Sequence, residues 1–150
     1  MHDFIIKAEK LIKEYGRGEN MTKALRGADL VIPSGSFTCI VGPSGHGKST
    51  LMHLLGGLDR PSGGSVLIDG QEMFSLSHQQ LAALRAKKIG FVFQFFNLLE
   101  NLTALENIEM ALMLSGIPEV QQKQRATELL ELVGLSEKAN SKPGQLSGGQ

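Results

Sequence analysis

Residues 42–50 read GPSGHGKST, and no other stretch restricts the fold as tightly. The pattern GxxxxGK followed by a hydroxyl residue carries its chemistry only where a strand delivers the loop and a helix leaves it. Both flanks fit. SFTCIVG, residues 36–42, is a nearly continuous apolar run of the kind found in a strand buried on both faces, and the apolar-rich STLMHLLGGL reads as a helix ending at glycine. Gly42, Gly45 and Gly47 open backbone angles barred to other residues, so N–H groups along the loop can converge on phosphate oxygens. The helix beginning near Lys48 adds the positive end of its dipole. Lys48 can reach the β and γ phosphates, and the hydroxyl of Ser49 is placed to coordinate Mg²⁺. A merely flexible glycine turn would not explain a lysine and two hydroxyls, Ser49 and Thr50, at the start of a helix. His46 reads as a solvent-facing passenger rather than a catalytic base, because main-chain groups do the binding in such a loop. The expected nucleotide-phosphate site is therefore Gly42, Pro43, Ser44, Gly45, His46, Gly47, Lys48, Ser49 and Thr50.

Any such site must work locally. Fifteen Lys plus Arg balance fifteen Asp plus Glu, so no global field favours nucleic acid or an acidic membrane surface. A chain of 150 residues with 41% hydrophobic and 20% charged content suits one ordinary globular domain, not a disordered segment. The one cysteine, Cys39, sits in the apolar run and is expected to be a buried thiol; having a single cysteine excludes an intrachain disulfide and suits a reducing compartment. MHDFIIKAEK has no basic start followed by an apolar segment. Stretches such as LMHLLGGL fall short of the roughly 18 residues that a membrane span needs, so neither a signal peptide nor a membrane helix is expected.

Alternating apolar positions over 3–12 and 24–32 predict two strands, antiparallel and joined by the polar loop YGRGENMTK. PSGG turns the chain into SVLIDG, where Asp69-Gly70 is a hairpin-type turn. HQQLAALRAKK is a helix leading to a second buried strand, IGFVF. Residues 103–133 predict two helices: Thr103 and Glu106 are spaced as a capping box, Pro118 lies near the first turn of the second helix, and Gly134 lies just past its end. Val120, Leu129, Leu130 and Val133 are its expected apolar face. Residues 1–94 thus read as an α/β core and 95–150 as a helical subdomain.

With these segments in order, the chain resembles an ATP-binding cassette, the nucleotide-binding subunit of ABC transporters. Tyr15 resembles the family's adenine-stacking aromatic, GPSGHGKST its Walker A loop, and GFVFQ ends in Gln94 where the family has its Q-loop glutamine. LSGGQ, residues 146–150, is the family signature. The phrases GLDRPSGG, GFVFQFFNLL, LTALENI and RATELLELVGL look most like the macrolide-export and lipoprotein-release branch. The implied fold is an α/β P-loop NTPase: a RecA-like core with an N-terminal antiparallel β-subdomain and a helical subdomain, incomplete at the C-terminus.

The resemblance implies MgATP as ligand, with Lys48 and Gln94 in catalytic roles, Gln94 and Ser49 at the metal, and Gln94 also at the attacking water. It implies that Ser147, Gly148, Gly149 and Gln150 contact ATP held by a second, head-to-tail cassette. It further implies membrane permease partners and a peripheral position on the cytoplasmic face of the inner membrane; no nucleic-acid partner is expected. FFNLLENL resembles the surface that grips a cytoplasmic helix of the permease, although Phe95, Phe96, Leu98 and Leu99 could equally be core. In the family the signature is followed by an apolar strand ending in Asp-Glu and by a switch histidine. This sequence holds no Asp-Glu dipeptide, VLID at 66–69 runs into Gly70 instead, and His2, His46, His53 and His78 all precede the signature. Ser36 stands where the family usually has glutamate. The expectation is a cassette cut at its signature and not hydrolytic alone. The alternatives are a non-transport ABC ATPase of the translation or DNA-repair kind, or a nucleotide-binding remnant.

Overall fold

Alternation of apolar and polar residues carries the first third of the chain into a sheet. In the computed structural model, which describes residues 3–150, β1 (Phe4–Tyr15) and β2 (Thr22–Pro33) pair antiparallel from Phe4↔Pro33 to Tyr15↔Thr22. Both strands run further than alternation alone predicts. At the hairpin end their polar residues pair across the ladder, with Lys23 and Glu14 ion-paired at 3.2 Å. β3 (Gly63–Ile68) lies antiparallel on the other side of β1, and β4 (Gln71–Glu72) follows through a tight turn. The order is β2-β1-β3-β4. Asp69 and Gly70 both take positive φ, 50° and 77°, the combination that a two-residue hairpin turn matching strand twist requires.

Two helices accompany this sheet, α1 (Lys48–Leu55) and α2 (His78–Lys88). Ser77 and Gln80 cap the start of α2 reciprocally. Leu54 and Leu55 of α1 and Leu81 of α2 close over Ala8, Leu11, Leu25, Val66, Ile68 and Met73 to form the core. Each large side chain buried there contributes about 1.5–3 kcal/mol.

The chain divides into two compact units, one up to Gly90 and one from Phe91 to Gln150. That division falls slightly before the boundary expected at residue 94. The second unit packs α3 (Ala104–Leu114) against α4 (Glu119–Leu132). Thr103 and Glu106 form the expected capping box, with the Thr103 N–H donating to Glu106 Oε2 at 2.7 Å. Pro118 is the N-cap of α4, and Gly134 leaves that helix with φ 71°. The buried stripe of α4 runs through Ala126 and Leu130, four residues apart. Val120 lies about 120° round the helix from Ala126 and is 87% exposed, and Val133 is exposed as well, so the expected apolar face holds only at its Leu129–Leu130 centre.

Two expected strands do not form. Neither 36–42 nor 89–93 is a strand, and Phe37 (97% exposed) and Val92 (103%) are open to solvent. Cys39, expected to be buried, is exposed. The physical reason is the ladder: a strand covered on both faces needs hydrogen-bonded neighbours at its edges. Among the described residues neither run has one. His2 lies outside the described residues.

Candidate functional site

The loop before α1 is built by glycine geometry. Gly47 is the N-cap of α1 with φ 81°, and a Cβ there would come within 2.5 Å of the Ala24 carbonyl oxygen. Only glycine allows both that angle and that approach to β2. The backbone ladder of α1 opens with Leu51 N–H donating to the Gly47 carbonyl at 2.8 Å. Among the described residues, the N–H groups from Ser44 to Thr50 donate to no backbone carbonyl. They are the unspent donors of a helix start and its approach, gathered where the dipole favours negative charge.

Ser44, Gly45, His46, Gly47, Lys48, Ser49 and Thr50 line an open hollow of about 620 Å³, faced by Thr22, Lys23, Ala24 and Arg26 of β2. Gly42 and Pro43 are not among its lining residues. The Lys48 ammonium folds back to donate to the Pro43 carbonyl at 2.7 Å, so the side chain already lies along its own loop. His46 Nδ1–H donates to the Ser44 carbonyl at 2.9 Å, a contact that braces the loop. The β2 residues were missed in sequence reasoning; the antiparallel hairpin brings them opposite the end of β1 that carries Tyr15.

Tyr15 pairs directly with Thr22 but is not itself among the lining residues. Its hydroxyl donates to Asp59 Oδ2 at 3.0 Å, and the Lys13 ammonium lies 4.8 Å from its ring centroid. Asp69, in the VLID stretch, is in the turn after β3 and pairs with Lys88 at 2.8 Å. That turn connects two strands of the antiparallel sheet.

In the second unit, Gln94 is exposed at a turn following the unpaired run. Phe95, Phe96, Leu98 and Leu99 are all exposed, so the core reading of that segment is set aside. Phe95, Phe96 and Leu98 share a hollow of about 450 Å³ with Leu146, Ser147, Gly148 and Gln150. The signature closes on itself: Ser147 N–H donates to Gln150 Oε1 and Gln150 N–H to the Ser147 carbonyl, both at 3.0 Å. The first bond has the form of the return contact of a capping box, the second closes a turn, and Gly148 and Gly149 lie between the two residues. Among the described residues, no group of three or more His, Cys, Asp or Glu is placed to hold a metal ion. Among the same residues, no helix is long and apolar enough to cross a membrane.

A glycine loop opening a helix is shared by many folds, and the comparison that decides among them covers most of the chain: the ABC transporter family profile matches residues 25–150. The chain belongs to the ABC transporter family. An "Uncharacterized ABC transporter ATP-binding protein" of Thermotoga maritima is 52% identical over 138 residues, spanning 92% of this chain and 59% of the relative. The "Lipoprotein-releasing system ATP-binding protein LolD" of Legionella pneumophila is 43% identical over 150 residues, spanning 100% of this chain and 66% of the relative. This ABC family chain thus spans about 59–66% of the length of those relatives. A dimeric structure of the ATP-binding cassette MJ0796 in a post-hydrolysis state, bound to ADP and Pi, superposes with a TM-score of 0.87 at 43% identity. That match covers 97% of this chain and 64% of the MJ0796 chain. The α/β P-loop fold of the ABC cassette is therefore the fold of this chain.

Proposed function

We propose that the chain binds MgATP through the loop 42–50 and is the ATP-binding part of an ABC transporter of the lipoprotein-release or macrolide-export kind. The observation that carries this reading is the bank of unpartnered N–H groups from Ser44 to Thr50 at the start of α1, in a chain that also holds LSGGQ at 146–150. Lys48 supplies the cation for the β and γ phosphates. Mg²⁺ keeps several waters and takes phosphate oxygens, so the single hydroxyl of Ser49 suits an ion that arrives with the nucleotide. Tyr15 would stack on adenine, and Gln94 would contact the metal and the attacking water. The unit up to Gly90 serves as the nucleotide-binding core and the unit from Phe91 as the helical subdomain.

In this reading Ser147, Gly148, Gly149 and Gln150 close over ATP held by a second cassette, paired head to tail. That role is the γ-phosphate clamp which other P-loop enzymes assign to an arginine finger. The exposed segment Phe95–Leu99 would meet a cytoplasmic helix of a membrane permease, in keeping with a peripheral position on the cytoplasmic face of the inner membrane. These 150 residues hold no Asp-Glu pair to polarise water, and general-base assistance is worth about 10² to 10⁴ in rate. The 150 residues by themselves are therefore non-hydrolytic.

One experiment tests both parts: phosphate release from MgATP, measured on the 150 residues and on a version continued to the length of the relatives. The first should stay at background. The second should turn over and lose activity in both Lys48→Ala and Ser147→Arg, with ATP binding by the isolated protein kept only in Ser147→Arg. Robust turnover by the 150 residues, abolished by Lys48→Ala, would contradict the non-hydrolytic reading. Loss of ATP binding in Ser147→Arg would contradict the trans clamp.

A further inference from the structure

An exposed aromatic ring stacks well only if something already holds it still. Tyr15 is 42% exposed at the end of β1, where a side chain ordinarily samples several rotamers and a ligand must freeze one of them. Here two side chains hold the ring, one of them from outside its own strand. Its hydroxyl donates to Asp59 Oδ2 at 3.0 Å, while the Lys13 ammonium sits 4.8 Å from the ring centroid. The same ammonium donates to Asp59 Oδ1 at 2.6 Å and to the Arg60 carbonyl at 2.7 Å. Lys13 and Tyr15 are two apart on β1 and so project from one face of the sheet. The Lys13 side chain is only 12% exposed, so its position is set by Asp59 and the Arg60 carbonyl more than by water. Asp59 is itself fixed by the Arg60 N–H at 2.7 Å. The three side chains close a triangle.

We propose that Lys13 and Asp59 are positioning residues for the nucleotide base, holding the Tyr15 ring in one orientation with one face against the Lys13 ammonium and the other open to a purine. This deepens the proposed function and rests on its reading of Tyr15. Asp59 comes from the segment that follows α1, the helix whose other end opens at the phosphate loop, so the triangle ties the base platform to the element that carries the phosphate donors. Burial raises the Asp59 carboxyl, but the bonds from Lys13, Tyr15 and the Arg60 N–H outweigh it and hold the group below the ordinary aspartate range. It is an ionised acceptor at neutral pH.

The test is calorimetric titration of the full chain with ATP and, separately, with inorganic tripolyphosphate, which has no base. Tyr15→Ala should weaken ATP about 5- to 150-fold, the range for one stacked ring, and leave tripolyphosphate unchanged. Asp59→Ala and Tyr15→Phe should each weaken ATP about 2- to 10-fold, the scale of freezing one side chain, again with tripolyphosphate unchanged. The double variant should be no weaker than Asp59→Ala alone. Tyr15→Phe keeps the ring and the fold, so it carries the test even where Asp59→Ala disturbs folding. Equal weakening of ATP and tripolyphosphate by Tyr15→Phe would make the contact merely structural and overturn the proposal. Unchanged ATP affinity in Tyr15→Phe and Asp59→Ala, beside a weakened Tyr15→Ala, would overturn positioning while leaving stacking intact. An unchanged Tyr15→Ala would remove the stacking reading and the proposal with it.

Discussion

The antiparallel sheet and the two apolar runs at 36–42 and 89–93 are made of similar residues and end in opposite states. Leu11 in β1 is fully buried, whereas Phe37 and Val92 are open to solvent. Each strand of the sheet has a partner: one hairpin joins β1 to β2, the Asp69-Gly70 turn joins β3 to β4, and β3 returns along β1 after α1. The apolar runs have no strand beside them among the described residues. Apolarity makes a segment eligible to be a strand, but ladder partners make it one. A consequence for the site follows. The loop 42–50 is held by what comes after it, α1 packed on the sheet, and by β2 where Gly47 meets Ala24, and not by a strand before it.

The contrast predicts unequal responses to substitution. Leu11→Ala, in the packed sheet, should lower stability in urea unfolding by about 2–5 kcal/mol. Phe37→Ser and Val92→Ser should stay within about 0.5 kcal/mol, as exposed positions do. Equal losses in the two regions would mean that the runs are covered in solution and that the contrast is false.

A smaller effect sharpens the same comparison at the end of β1. The folded state holds the Asp59 carboxyl below its ordinary range, so its contribution to stability is present above the unfolded value, about pH 4, and fades as pH falls further. Thermal unfolding followed from pH 5 downward should therefore decline less steeply in Asp59→Asn than in the unsubstituted chain. Identical slopes would mean that the triangle with Lys13 and Tyr15 does not persist in solution.

What could be read from the sequence was what is local. α2 spans the segment HQQLAALRAKK, and the Thr103–Glu106 box and the Asp69-Gly70 turn form where their spacing puts them, because each depends on bonds within a few residues. The strand alternation of β1 and β2 was legible for the same reason: one side of the sheet is packed and the other is wet. Three things were not legible. Lys13 and Asp59 meet across 46 residues, with no periodic signal linking them. The runs 36–42 and 89–93 have strand composition, and composition does not say whether a neighbour is at hand. Val120 has the right residue type for a core helix and the wrong angle, since the stripe of α4 is set by Ala126 and Leu130 packing in the second unit.

The proposed function stands on the glycine loop before α1 receiving nucleotide phosphate, with Lys48 as its cation. Titration of ATP into the chain and into Lys48→Ala tests this most directly. Removing a charged hydrogen-bonding group from a phosphate costs about 1.5–3 kcal/mol, so the account predicts an affinity roughly 10- to 150-fold weaker in Lys48→Ala, with ATP and tripolyphosphate affected alike. Unchanged affinity for both ligands in Lys48→Ala would contradict it.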